Sequence, residues 1–368
     1  MKILHFGNIK TGIDSYVRNT VATASDEFDF VIVHGGDDKG KPFYRKGNLV
    51  PEYNICLYRS LNPYRDIKAI FQAIKIIRKE KPDLIHCHSA KGGVVGRFAA
   101  YFTNTKSVYT PHAFSFLSSS SKLKSRIFMA LEKIARLKSY LLACSDSELK
   151  LGLEVVGFCK KKAFVWNNAI SDPVSESKED IEPLKGPYII SVGRPCYQKN
   201  PLLMVDIMNE VHKTHPNVKF YLLGVGFYSP ELENMENRIA DYHLEDIVKL
   251  LPYMPHEDTL QHVKNSLFYL TTSYYEGLPI AVLEAMAESR AIVASNVIGN
   301  KDCVKDNCNG YLLPMECSAF VEKINFLLDN NDELSRLSNN SRIYFEKDFL
   351  LKNRISDLEA IYTKIIKS

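Results

Sequence analysis

The 368 residues predict an α/β chain of two doubly wound, Rossmann-like domains facing a cleft. Three observations carry that expectation. Short apolar runs rich in β-branched and aromatic residues alternate with amphipathic segments, which is the pattern of a parallel sheet covered by helices on both faces. The alternation pauses once, at a polar, acidic, proline-containing stretch, and then resumes. Hydrophobic residues make up 45% of the chain, enough for two full cores at this length.

The first run of strands reads "KILHF" (2–6), "FVIVH" (30–34), "DLIHC" (83–87), "SVYT" (107–110) and "YLLAC" (140–144). The second reads "YIISV" (188–192), "VKFYLL" (218–223), "IVKLL" (247–251), "LFYLTT" (267–272) and "AIVAS" (291–295). Segments such as "DIKAIFQAIKIIRKEK" and "PLLMVDIMNEVHKTH" carry the helical period between them. The pause, "ISDPVSESKEDIEPLKG", places a linker at 171–186 between domains at 1–170 and 187–349. A final helix at 350–368 has no strand after it.

Charge is uneven. Residues 1–170 hold 27 Lys and Arg against 14 Asp and Glu, and the remainder holds 20 against 29. The basic first half suits an anionic partner such as a membrane surface or a phosphorylated acceptor, and nothing points to nucleic acid. No apolar run approaches the roughly 18 residues of a membrane span. The 8 cysteines form no CxxC pair, and "KILHF" follows Met1 with no apolar leader, so the expectation is a cytoplasmic protein with reduced thiols.

In such folds ligands bind at the carboxyl ends of the strands, so the loops there are where chemistry is sought. "SVGRPCYQKNP" (191–201) offers Arg194, a rigid fork of donors, and Lys199, a mobile point charge, before a helix start near Pro201. Together they suit a diphosphate; a basic, solvated turn is the plainer alternative. "SYYEGLPIAVLE" (273–284) reads as a strand handing over to a helix, with Pro279 in the first turn. The amides around Gly277, Leu278 and Ile280 then form an anion site at the positive end of the helix. Glu276 lies just before it and Glu284 about two turns beyond its start. Carboxylates repel phosphate, so these two suit neighbouring hydroxyls, and the ligand that fits is a nucleoside diphosphate sugar. Otherwise Glu276 caps the helix and Glu284 is solvated.

Other histidines and glycines are weaker signals. His86 reads as a core residue; His112, after a strand and beside Pro111, is placed to reach the cleft; His88, Ser89 and Lys91 are lesser candidates. Gly12, in "NIKTGIDSY" (8–16), would let backbone approach a ligand, but the GxGxxG fingerprint is missing. Ser145 and Asp146 read as helix caps, and Cys303 and Cys308 lack partners at zinc spacing, so no metal is expected. Residues 118–140 place Leu123, Ile127, Leu131 and Ile134 at helical spacing among six basic residues and Glu132. That segment either lies on an anionic membrane or packs its stripe on the sheet.

Taken together, "VGRPCYQKNP", the E-x7-E of "EGLPIAVLE", "DLIHCHSAKGG", "VYTPHAF", "WNNAIS" and "LLGVGFYSPELE" with "LLPYMPHEDTLQHV" resemble the retaining glycosyltransferases of family 4, which have the two-domain GT-B fold. The resemblance implies a hexosyltransferase of bacterial cell-surface polysaccharide synthesis, with a donor-binding second domain and an acceptor-side first domain. It implies that Arg194 and Lys199 hold the donor diphosphate, that Glu284 bonds the ribose, and that Glu276 serves the transferred sugar. The backbone from Gly277 through Leu278 and Pro279 to Ile280 would line the sugar and phosphates, with His112 near the reacting centre. It also implies a final helix that crosses back to the first domain. The chain departs from the family pattern at Thr11-Gly12, at Val225 between Gly224 and Gly226, and at Ala169 and Ser171.

The expected donor is a UDP-sugar, the expected acceptor a glycan or polyprenyl-diphosphate-linked saccharide, and the expected chemistry independent of metal or other cofactor. The expected location is cytoplasmic, with possible attachment to the inner face of the membrane. Two rivals remain: an epimerase of the nucleotide sugar on the same fold, and a non-catalytic subunit that binds a partner transferase.

Overall fold

The computed structural model describes residues 1–9, 12–35, 40–58, 62–119, 121–173, 184–226 and 228–368. The chain divides into two compact units, Met1–Ala169 with Leu351–Ser368, and Ile170–Leu350.

The first unit opens with β1 (Lys2–Gly7), α1 (Gly12–Thr23) and β2 (Asp29–Gly35), followed by a small hairpin of β3 (Tyr44–Arg45) and β4 (Asn48–Leu49). It continues through β5 (Glu52–Ile55), α2 (Pro63–Glu80), β6 (Leu84–His88), α3 (Ala90–Thr103) and β7 (Lys106–Thr110). Next come α4 (Lys122–Ile134), β8 (Tyr140–Ala143), α5 (Asp146–Leu151) and β9 (Ala163–Val165). Seven strands form a sheet in the order β5-β2-β1-β6-β7-β8-β9, with every neighbouring pair parallel. Buried side chains such as Leu4, Phe6, Ile85 and Leu141 cover one face, and Ile3, Ile32, Leu84 and Leu142 the other.

The second unit runs β10 (Tyr188–Val192), α6 (Pro201–Thr214), β11 (Lys219–Val225), α7 (Leu232–Asp241), β12 (Val248–Pro252) and α8 (His256–Lys264). It then runs β13 (Tyr269–Thr271), α9 (Ile280–Ala287), β14 (Ile292–Ser295), α10 (Asn300–Cys303), β15 (Gly310–Leu313), α11 (Cys317–Asp329) and α12 (Asn331–Asp348). Its six strands, also parallel, take the order β12-β11-β10-β13-β14-β15.

All ten strands read from the sequence are present. The parallel strands not read, β5, β9 and β15, lie at sheet edges and are only three or four residues long. The last helix, α13 (Leu351–Lys367), buries Leu351, Leu358, Tyr362 and Ile365 in the first unit. Trp166 ties it down by donating from Nε1 to the Arg354 carbonyl at 3.0 Å. Residues 174–183 of the expected linker lie outside the described residues.

Helix α4 turns Phe128 and Met129 toward the core and leaves the stripe read from the sequence outside. Its one fully buried side chain is Glu132, while Leu123 and Ile134 are 69% and 62% exposed, and Ile127 and Leu131 are exposed with them. The stripe therefore does not pack on the sheet. Glu132 goes inward because Arg97 of α3 meets it at 2.9 Å, with both side chains buried, and Tyr109 of β7 donates to it at 2.9 Å. Arg97 lies over the Tyr109 ring, 3.8 Å from its centre. Buried charges persist when paired and hydrogen-bonded. Arg97 is paired with Glu132 and donates from Nε to the Gly93 carbonyl at 2.7 Å, with only its Nη1 left without a partner among the described residues. Among the described residues no helix is long and apolar enough to cross a membrane.

Candidate active site

The turn after β10 begins at Gly193, whose φ of +152° suits glycine and whose missing side chain leaves room for Lys199 Cε, 3.1 Å from where a Cβ would stand. A short turn of helix over Tyr197–Lys199 brings the chain to Asn200 in the left-handed region, and Pro201 opens α6. This turn is stitched to the one after β13. Tyr274 N donates to the Gln198 carbonyl at 2.8 Å, Gln198 Nε2 donates to the Tyr275 carbonyl at 3.2 Å, and Thr272 Oγ1 bonds the carbonyls of Lys199 and Asn200. Tyr197 and Tyr274 stack with ring centres 5.0 Å apart.

The stitching delivers Lys199 to Glu276. Lys199 Nζ donates to Glu276 Oε1 at 2.8 Å, Ser273 Oγ donates to the same oxygen at 2.7 Å, and Gln198 Nε2 donates to Oε2 at 2.9 Å. Burial works to lower the Lys199 ammonium, but the Glu276 carboxylate outweighs it and holds the group above the ordinary lysine range. Glu276 is buried, and Gly299 packs on it so closely that a Cβ there would stand 2.5 Å from Glu276 Cβ. Arg194 is placed apart from this cluster: its Nη1 reaches the Tyr228 carbonyl at 3.4 Å and its guanidinium sits over the Tyr228 ring.

Helix α9 begins at Ile280, with Pro279 as its N-cap and no capping side chain. Glu276 therefore does not cap it, and Glu284 lies just over one turn in, not two. Gly277, Leu278 and Pro279 are buried beneath the turn, and the amides of Ile280 and Ala281 have no acceptor within the helix. Leading amides at the positive end of a helix suit an anion. Glu284 is buried rather than solvated, and its Oε1 lies 2.7 Å from Nε2 of His256, an exposed residue at the start of α8.

In the first unit, His112 follows β7 with φ of +52° and Ala113 with φ of +80°. Left-handed geometry costs non-glycine residues about 1–3 kcal/mol each and persists where neighbours hold it. Here Ala113 N donates at 2.7 Å to the buried carboxylate of Glu148, which also takes the Cys144 amide at 2.8 Å; burial pushes the Glu148 carboxyl up against those bonds. Ser145 caps α5 as expected, accepting from Glu148 N at 3.1 Å. The half-buried His112 ring bonds His88, which is fully buried and so not itself open to a ligand. His86 is a core residue, bonded by Tyr362 and Thr110. Ser89 precedes α3 with φ of +59°, and Lys91 is paired with Asp66 at 2.6 Å. Gly12 is the exposed first residue of α1, not part of a loop, and Thr11 lies outside the described residues.

His5, His86 and His88 lie within metal-ligand reach of one another. Their ring nitrogens are largely engaged, however: His5 Nδ1 with His88 Nε2 at 2.8 Å, and both nitrogens of His86 with hydroxyls. The array fits neutral, mutually bonded rings. Sequence reasoning missed Gln198, Ser273, Gly299, His256 and Glu148. Gln198, adjacent to Lys199, and Ser273, three residues before Glu276, had a signal in their positions; Gly299, His256 and Glu148 come from more distant segments.

Residues 11–172 match the family model Glycosyltransferase Family 4, and residues 175–344 match Glycosyl transferases group 1. A UDP-Gal:alpha-D-GlcNAc-diphosphoundecaprenol alpha-1,3-galactosyltransferase of Escherichia coli is 27% identical over 330 residues, 84% of this chain and 82% of that protein. Sucrose-phosphate synthase from Thermosynechococcus elongatus shares the fold with a TM-score of 0.84 at 17% identity, covering 100% of this chain and 99% of that one. Anabaena HepE in complex with UDP and glucose does so with a TM-score of 0.77 at 16% identity, covering 98% and 99%.

Proposed function

The chain belongs to the GT-B glycosyltransferases of family 4 and group 1 in bacterial polysaccharide synthesis, and on that premise we propose that it moves a hexose from a UDP-sugar to a lipid-linked saccharide with retention of anomeric configuration. The observation that carries the reading is the Lys199–Glu276 ion pair, after the carboxyl ends of β10 and β13, with Glu276 four residues ahead of the start of α9. A cation and the leading amides of a helix suit a pyrophosphate, and a carboxylate suits a sugar hydroxyl. The name of the Escherichia coli relative, with its UDP-galactose donor and diphosphoundecaprenol acceptor, and the UDP held by HepE support donor and acceptor class.

Lys199 and the α9 amides stabilise the diphosphate as it leaves, joined by Arg194 when its side chain swings from Tyr228 toward the phosphates, a field that needs no metal. Glu276 and the backbone from Gly277 to Ile280 orient the sugar, Glu284 bonds the ribose, and His112 contacts the sugar near the reacting carbon. The bond from the anomeric carbon to the phosphate oxygen breaks through an oxocarbenium-like state. The acceptor oxygen bonds that carbon on the same face, and its proton passes to the departing phosphate. Gly12 opens α1 at the carboxyl end of β1, a position suited to the acceptor side.

The exposed apolar stripe of α4, flanked by Lys122, Lys124, Arg126, Lys133, Arg136 and Lys138, serves as a docking face for an anionic bilayer, where a polyprenyl acceptor resides. The same unit exposes Tyr64, Ile67 and Phe71 on α2 beside Lys68 and Lys75, which extends the apolar and basic character of this unit's surface.

The test is incubation of the purified chain with a panel of UDP-, GDP-, TDP- and ADP-hexoses, with and without a polyprenyl-diphosphate-linked saccharide. Proton NMR of the product then reads the new linkage. An α-linked product from an α-linked UDP-sugar supports the reading; an inverted product ends retention. A new sugar nucleotide formed without acceptor identifies an epimerase instead, and no turnover with any donor returns the non-catalytic subunit.

A further inference from the structure

Four histidines of the first unit form a stacked array. His5 on β1 and His86 and His88 on β6 are fully buried, and His112 lies at the array's outer end. Ring centres are 5.1 Å apart for His5 and His88, 4.0 Å for His86 and His88, and 5.3 Å for His88 and His112. Tyr16 of α1 meets His86, His88 and His112 edge-on, and Tyr362 of α13 closes the far side against His86.

The hydrogen bonds run in one line, from His5 Nδ1 to His88 Nε2 at 2.8 Å and from His88 Nδ1 to His112 Nε2 at 3.0 Å. A neutral imidazole has one N–H and one acceptor nitrogen, so a line of such rings must be polarised in one direction throughout. The buried end decides which. His5 Nε2 is buried and has no partner among the described residues. An orphaned buried N–H is rarer than an under-used acceptor, which puts the His5 proton on Nδ1. His5 then donates to His88 Nε2, His88 carries its proton on Nδ1 and donates to His112 Nε2, and His112 is left with its proton on Nδ1. His86 does not branch the line. Thr110 Oγ1 donates to the Leu142 carbonyl at 2.8 Å, so it accepts from His86 Nε2, and His86 Nδ1 accepts from Tyr362. Burial keeps the rings neutral, with His5 and His112 lowered to about 3 and His86 and His88 well below the usual value.

We infer that His5 and His88 are positioning residues that lock His112 as the Nδ1–H tautomer, so that it meets substrate as a hydrogen-bond donor to an oxygen and not as a base. The inference rests on the reading of His112 as a sugar contact. It agrees with a reaction in which the departing phosphate, not a histidine, takes the acceptor's proton. The left-handed backbone at His112 and Ala113, held by Glu148, fixes the direction of the ring, and the histidine line fixes what the ring offers.

The experiment is long-range proton–nitrogen correlation NMR of histidine-labelled full-length protein near neutral pH, with steady-state kinetics of the same samples. The wild type is expected to show His112 protonated at Nδ1. In His88→Phe the His112 ring loses that fixed state, kcat falls about tenfold and UDP affinity is unchanged. In His88→Asn, whose amide stands where the Nδ1–H stood, both the tautomer and most of kcat return. His112 protonated at Nε2 in the wild type would overturn the inference, and so would an unchanged tautomer in His88→Phe. The wild-type spectrum decides the matter even if a variant does not fold. Wild-type kinetics in His112→Ala would end the reading of His112 as a substrate contact, a failure separate from that of the tautomer assignment.

Discussion

Lys199 Nζ lies 2.8 Å from Glu276 Oε1, on a carboxylate that Ser273 and Gln198 also bond. The two residues assigned to different parts of the donor thus bond each other. A pyrophosphate would draw Lys199 toward itself, and the carboxylate would then be left for a sugar hydroxyl. Binding would then exchange one ion pair for another.

Replacing Glu276 by Gln removes the competitor for Lys199 while keeping a side chain of the same shape. UDP is expected to bind as tightly as to wild type or more tightly, while kcat falls about 10²–10³-fold, the scale of losing one preorganised polar contact at a reacting centre. Calorimetry with UDP and a transfer assay check both halves. An unchanged kcat would remove Glu276 from the chemistry.

The Arg97–Glu132 pair is buried on both sides, and Glu132 also takes the Tyr109 hydroxyl. Glu132→Ala strands the Arg97 charge in the interior and is expected to destabilise the first unit by about 3–5 kcal/mol. Chemical denaturation followed by the fluorescence of Trp166, which lies in that unit, measures it. UDP binding by the second unit should persist at temperatures where the first unit of the variant remains folded.

Acid should weaken the protein through the histidine array. His5 is lowered to about 3 by burial, so between the unfolded value near 6.5 and about pH 3 the unfolded chain binds the extra proton. Stability is then full above about pH 6.5 and falls with decreasing pH, by about 1.4 kcal/mol per pH unit for each such ring. In His5→Phe the slope of stability against pH between 6.5 and 5 should be shallower by that amount. Urea midpoints across this range provide the measurement, and an unchanged slope would show that His5 titrates normally.

Much of the fold was legible because buried parallel strands are written as unbroken β-branched runs such as "FVIVH" and "YIISV". The edges were not, because "EYNI" is half polar and "AFV" is only three residues long, too short to stand out as a run. At the site, Arg194, Lys199, Glu276 and Glu284 stood out through residue type and position after strands. Their partners did not. Lys199 and Glu276 are 77 residues apart, and no local pattern states that two turns will be stitched together. The direction of α4 was hidden for the same reason: spacing revealed a stripe, but only Arg97, from another helix, decides that Glu132 faces inward.

That outward stripe gives a prediction at the membrane. Vesicles containing anionic phospholipid should carry the wild-type protein upward in a flotation gradient, whereas Ile127→Glu and Leu123→Glu should reduce the bound fraction about tenfold or more. Both positions are exposed, so folding and UDP binding should be unaffected. Equal flotation of wild type and variants would show that α4 is not the docking face.

The central claim, that Lys199 and Arg194 grip a pyrophosphate at the start of α9, is tested most directly by calorimetric titration of UDP and uridine into wild type, Lys199→Met and Arg194→Ala. The account predicts that wild type binds UDP far more tightly than uridine, and that each substitution weakens UDP about tenfold or more while leaving uridine unchanged. Wild-type UDP affinity in both variants would contradict it.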